Sequence, residues 1–139
     1  MDSNKPYTSQ SPKPTWIVVV ERVFMTILLV LACLPVITIP FVLAVAAMAS
    51  DGEVVVVLQG RGVELAVNGA ADSVQARGFP PLAKLLDDYR ELGGRLLLCG
   101  PCVNGRDIDA SSQLVENAEV VAAARFVAEI TSATNALTY

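Results

Sequence analysis

The chain has 139 residues, is 53% hydrophobic and 17% charged, and carries a formal net charge of -4. It contains no histidine and three cysteines, which excludes Ser-His-Asp triads, histidine acid–base catalysis and Cys/His zinc sites. The scattered basic residues argue against a nucleic-acid partner, and an odd cysteine count with two in a tight pair suits a reducing compartment better than a disulfide framework.

Residues 1–14 are polar and hold Pro6, Pro12 and Pro14, the composition of a disordered tail. Residues 15–139 then read as a single α/β domain. Trp16–Val20 is a continuous β-branched run, as expected of a strand covered on both faces. Val23–Ser50 follows with no charged residue. Such a run is long enough to span or dip into a bilayer. It also has features of a cleaved export signal, with Arg22 ahead, Ala47-Met48-Ala49 behind and a poor lipobox at Val30–Cys33. The favoured reading is two buried elements joined by a greasy loop, because Pro35 and Pro40 each break or kink a helix. A helix restarting near Thr38, with Pro40 in its first turn, covers Ile39–Ala49. Lys5, Lys13 and Arg22 would orient a spanning helix with the later thiols outside. The expectation is therefore a cytoplasmic protein, with membrane association through 23–50 as the alternative.

Glu53–Leu58 is a second buried strand, and Gln59-Gly60-Arg61-Gly62 turns the chain into a short helix around Val63–Val67. Leu82, Leu85, Leu86, Tyr89 and Leu92 mark an amphipathic helix, stopped by Gly93-Gly94. Arg95–Leu98 is the third strand. Asn117–Ile130 is expected as one long helix and Thr134–Tyr139 as a terminal strand. Strands alternating with helices imply a three-layer α/β sandwich around a mainly parallel sheet of four to five strands, with flavodoxin-like or Rossmann-like topology. Function in such sheets gathers on loops at the carboxyl ends of strands.

One of those loops carries Cys99-Gly100-Pro101-Cys102. With histidine absent, covalent chemistry falls to sulfur, which reacts as the thiolate. The dipeptide-spaced thiols match the thioredoxin sequence, yet Val103–Asp107 is a poor helix opening and no proline follows Pro101 to face the thiols. Two inert thiols at a strand end are the plain alternative. Gly60-Arg61-Gly62 lacks the third glycine of a dinucleotide fingerprint, since Leu65 stands in its place. It reads as a tight turn. Asp87, Asp88 and Glu91 read as a solvated helix face, and Cys33 as a small packed hydrophobe.

Taken together, Glu53–Gly62, Val63-Glu64-Leu65, Gly78–Leu82 and Leu92–Cys102, with the ending Ala118–Tyr139, resemble the DsrE/DsrF-like (TusD-like) sulfur-relay family. The resemblance implies a compact α/β domain that assembles into trimers or hexamers. It also implies a cysteine that accepts sulfane sulfur as a persulfide from a donor protein and passes it to an acceptor, without metal or organic cofactor. By the family's spacing to an Arg-Gly pair, Cys99 matches the reactive cysteine, Cys102 the second cysteine of the two-thiol members, and Arg106 the arginine. Asp107 replaces the family's glycine, and a carboxylate there would oppose thiolate formation. The first loop, Val23–Ile37, departs too, being greasy where the family's is polar. The expected activity is a persulfide carrier of sulfurtransferase type using Cys99, Cys102 and Arg106. A non-catalytic oligomeric binding module and a dithiol redox protein are the alternatives.

Overall fold

A computed structural model of the chain describes residues 15–20 and 30–139, with side chains from residue 36 onward. The elements are β1 Thr15–Val20, α1 Val30–Ala49, β2 Glu53–Leu58, a 3-10 helix Gly60–Ala66, α2 Leu82–Glu91, β3 Arg95–Cys99, α3 Gly100–Asn104, β4 Ala118–Val121, α4 Ala123–Ser132 and β5 Asn135–Thr138. All strands pair in parallel in one five-stranded sheet of order β4-β3-β2-β1-β5. The α/β expectation, a mainly parallel sheet between helical layers, is met.

The strand sequences explain the layering. Val54, Val56, Leu58, Leu96 and Leu98 point to one face, where they pack with Phe41 and Ala44 of α1 and Leu82, Leu85 and Tyr89 of α2. Val55, Val57 and Leu97 point to the other, against Phe126 of α4. Strands buried on both sides lose the polar alternation of half-exposed strands, hence the unbroken run Val54–Leu58. Glu129 fixes α4 across this second face: its carboxylate, 11% exposed, lies 3.4 Å from Arg95 of β3 and 2.8 Å from Arg125.

Three expectations are corrected. Residues 117–130 are not one helix: Ala118–Val121 forms edge strand β4, and the helix starts only at Ala123. Val120 and Val121 imitate helical spacing with Ala124 and Val127, but adjacent β-branched residues favour the pleated surface beside β3. The second correction concerns α1, which runs unbroken from Val30 to Ala49 through both prolines. The sheet and α2 hold the helix where local propensity would break it. Residues 30–37 are thus helix rather than loop, while 21–29 and the 1–14 tail lie outside the described residues. Among the residues with described side chains, 36 onward, no helix is long and apolar enough to cross a membrane. Instead, Thr38, Pro40, Phe41 and Ala44 of α1 are buried. The third correction is at the thiol loop, where α3, Gly100–Asn104, opens directly after Cys99, ahead of the poor opening read at Val103–Asp107.

Tyr89 locks the pairing of β2 and β3. Its ring is fully buried and meets Phe41 edge-on, with centroids 6.3 Å apart. Its hydroxyl accepts from the Val56 N–H at 3.1 Å and donates to the Arg95 carbonyl at 2.7 Å, with the Val54 carbonyl at 3.0 Å also in reach. A Cβ on residue 94 would overlap the Tyr89 ring, so only glycine permits this approach. Burial pushes the phenol pKa well above its ordinary value. Tyr89→Phe would strand a buried N–H and a carbonyl, and should lower unfolding free energy by about 1–3 kcal/mol. Denaturant titration checks this; an unchanged midpoint would remove the hydroxyl from its structural role.

Candidate functional site: the thiol pair at the ends of β2 and β3

The register pairs Leu58 with Leu98, so β2 and β3 end level. Gln59 leaves the sheet after β2, next to Cys99, which closes β3 opposite Val121 of β4. Gly60 then turns the chain at φ 54, a left-handed conformation that glycine adopts without a Cβ clash. This turn aims the Gly60 N–H at Cys102 Sγ, 3.3 Å away. The bland Gly60-Arg61-Gly62 turn therefore borders the thiols directly.

Cys99 closes β3 and Cys102 lies in α3, where Pro101 occupies the first turn without cost in backbone donors. Both are free thiols and half-buried. Their sulfurs share a hydrogen bond at 2.7 Å. A disulfide bond is about 2.05 Å long, so joining them needs only a small shift. Cys33 lies within α1, and its side chain is outside the described residues.

Arg106 meets Glu64 and the backbone of Cys102. Its Nε lies 3.2 Å from Glu64 Oε1, and its Nη1 donates to the Cys102 carbonyl at 3.1 Å. Glu64 also binds Arg61 through Oε2 at 3.2 Å. One carboxylate thus joins the 3-10 helix after β2 to the turn that follows α3. The pairs are partly exposed, at 29% for Arg106 and 42% for Glu64, so each contributes no more than about 1 kcal/mol. Their value is positional: the guanidinium anchors the backbone of Cys102.

The Cys99 thiol is pushed up from its ordinary pKa, first by burial and then by the hydrogen bond with Cys102; the Cys102 N–H and the Arg106 charge pull the other way. Cys99 therefore keeps its proton at neutral pH. Its carboxymethylation by iodoacetate, followed at the peptide level, should reach half its limiting rate above the ordinary thiol range of about 8.5. A midpoint at or below that value would contradict the burial assigned here.

Asp107 sits at φ 53, the left-handed region. The family's glycine at this place thus has a conformational explanation, and aspartate is among the few other residues that tolerate the region. Asp107→Val should cost about 1–2 kcal/mol, while Asp107→Gly should match or exceed the parent in thermal stability. Equal loss in both variants would mean that the carboxylate, not the backbone, matters.

Sequence reasoning brought together Cys99, Cys102 and Arg106, which the structure does place in one cluster. It missed Glu64 and the Gly60 N–H. Glu64 left a trace, since Val63-Glu64-Leu65 belongs to the run that carried the family resemblance. A backbone donor leaves none beyond a glycine. Among the described residues no three Cys, Asp or Glu side chains are grouped to hold a metal ion. A hollow of about 400 Å³ lined by Val45, Asp88, Glu91 and Leu92 lies between α1 and α2, away from the thiols.

The model of the DsrE/DsrF-like family matches residues 36–139. Among solved structures, the crystal structure of the YchN protein from E. coli is similar, with a TM-score of 0.68 and 18% identity over 92% of this chain and 100% of that one. At that identity the likeness concerns the fold. The search of curated proteins gives no match.

Proposed function

The chain belongs to the DsrE/DsrF-like family, and from that premise we propose that it is a sulfur carrier whose Cys99–Cys102 pair holds sulfane sulfur as a persulfide. The observation that carries this reading is the pair itself: two free, half-buried thiols in contact at the end of β3, with a backbone N–H directed at one of them. Thiols at a strand's carboxyl end, reached by a loop donor, can form and stabilise an anion in place.

In the transfer, a thiolate of the pair attacks the outer sulfur of a donor persulfide. A new S–S bond forms, the donor's S–S bond breaks, and the donor leaves as a thiolate. An acceptor thiolate then takes the outer sulfur and returns the carrier to its starting state. The exchange is redox neutral and routes no step through a cofactor. Arg106 favours a charged Cys99 by its field and fixes Cys102 through the carbonyl contact. The acceptor and donor are proteins in this reading, the carrier works as a homo-oligomer of trimer or hexamer size, and its labile sulfur places it in the cytoplasm.

The sulfur–sulfur contact also favours a dithiol redox reading, and one experiment separates the two. Reduced, folded full-length protein treated with inorganic polysulfide should gain one sulfur, about 32 Da, on the peptide 96–106, and should not accelerate insulin reduction by dithiothreitol. Insulin reduction without a sulfur adduct would establish the redox protein. Neither activity would leave a non-catalytic binding module.

A further inference from the structure

We propose that Cys102 Sγ, held by the Gly60 N–H, is the atom that takes up sulfur, and that Cys99 is the flanking thiol that discharges it. The inference rests on the carrier reading above and reverses the order of the two cysteines suggested by their spacing to Arg106.

Three observations converge on Cys102. Gly60 N–H donates to its sulfur across 3.3 Å, the one backbone donor aimed at Sγ from the opposite strand end. Hydrogen bonding to the charged form is what stabilises a thiolate in a site without histidine. Second, Arg106 donates to the carbonyl of Cys102 and is itself held by Glu64, so the residue is braced from two elements. Third, Cys99 closes β3 and packs against both core clusters, with Val121 of β4 as its register partner. Burial in this packing holds the Cys99 thiol to its proton, and its sulfur lies 2.7 Å from that of Cys102.

The order of events follows. Cys102 thiolate attacks the outer sulfur of a donor persulfide, forming the Sγ–S bond and expelling the donor thiolate. From the persulfide two routes are open. An acceptor thiolate can remove the outer sulfur and restore the Cys102 thiolate. Alternatively, Cys99 loses its proton to solvent and its sulfur attacks Cys102 Sγ. That attack forms the Cys99–Cys102 disulfide and expels the outer sulfur as hydrosulfide. In this second route the sulfane sulfur gains the two electrons that the thiol pair loses, and a dithiol reductant must reopen the disulfide. At 2.7 Å between sulfurs, Cys99 is already placed for it. Cys99 therefore limits how long sulfur stays on the carrier when no acceptor is present.

The test uses full-length Cys99→Ser and Cys102→Ser proteins, reduced, treated with inorganic polysulfide and mapped by fragmentation of the peptide 96–106. Cys99→Ser should keep the sulfur adduct on Cys102 and release hydrosulfide about tenfold more slowly than the parent, because the resolving thiol is gone. Cys102→Ser should lose about tenfold or more of the adduct. If Cys102→Ser fails to fold, the early adduct in the parent decides by its position: on Cys102 it supports the inference, on Cys99 it overturns it. Undiminished loading of Cys102→Ser, equal loading of both variants, or unchanged hydrosulfide release from Cys99→Ser would also overturn it. Absence of any adduct on the folded parent would instead defeat the carrier reading itself.

Discussion

The level ending of β2 and β3 is the constraint on which the site depends. Parallel strands can slide against each other unless something fixes their register, and a slip of one residue would exchange the two faces of a strand. Here the Tyr89 hydroxyl is bonded to the backbone of both strands where they begin to pair, and Gly94 leaves the space its ring needs. Leu58 then stands opposite Leu98, and the two loops depart together. A tyrosine at the amino end of the sheet thereby sets a sulfur geometry at the carboxyl end.

From that alignment the chemistry of the loops follows. Gly60 turns its N–H toward Cys102, Glu64 reaches across to Arg106, and Arg106 secures the carbonyl of Cys102. None of these contacts is strong by itself. Their combined effect is to keep two thiols in contact while giving them unequal surroundings, Cys99 packed against both faces of the core and Cys102 against one, with the Gly60 N–H directed at its sulfur. Unequal surroundings suit a division of labour between the two sulfurs, because their places in the packing cannot be exchanged without moving the loop.

Much of this was legible in the residues. Valine and leucine runs without polar alternation announced strands buried on both faces, and the glycines after Leu92 marked the end of α2. The thiol pair stood out because histidine is absent. The misread elements fail for specific reasons. Adjacent Val120 and Val121 satisfied a helical period that the edge of the sheet overrides, and the prolines of α1 predicted a break that packing on β1, β2 and α2 does not allow. Gly60 was read as a turn, correctly as to shape. Which atom its N–H would meet depended on the register, and register is a property of two strands far apart in sequence. Asp107 shows the converse: a charge argument at one residue gives way to a backbone angle once φ is known.

The central claim is that the folded chain holds sulfur in the sulfane state at the pair of thiols closing β3. Cyanolysis measures it directly, because cyanide removes only sulfane sulfur and releases it as thiocyanate. Protein loaded from a persulfide donor and freed of excess should yield close to one thiocyanate per chain, and the double Cys99→Ser/Cys102→Ser protein should yield none. Thiocyanate in equal amount from both proteins, or from neither, would contradict the account.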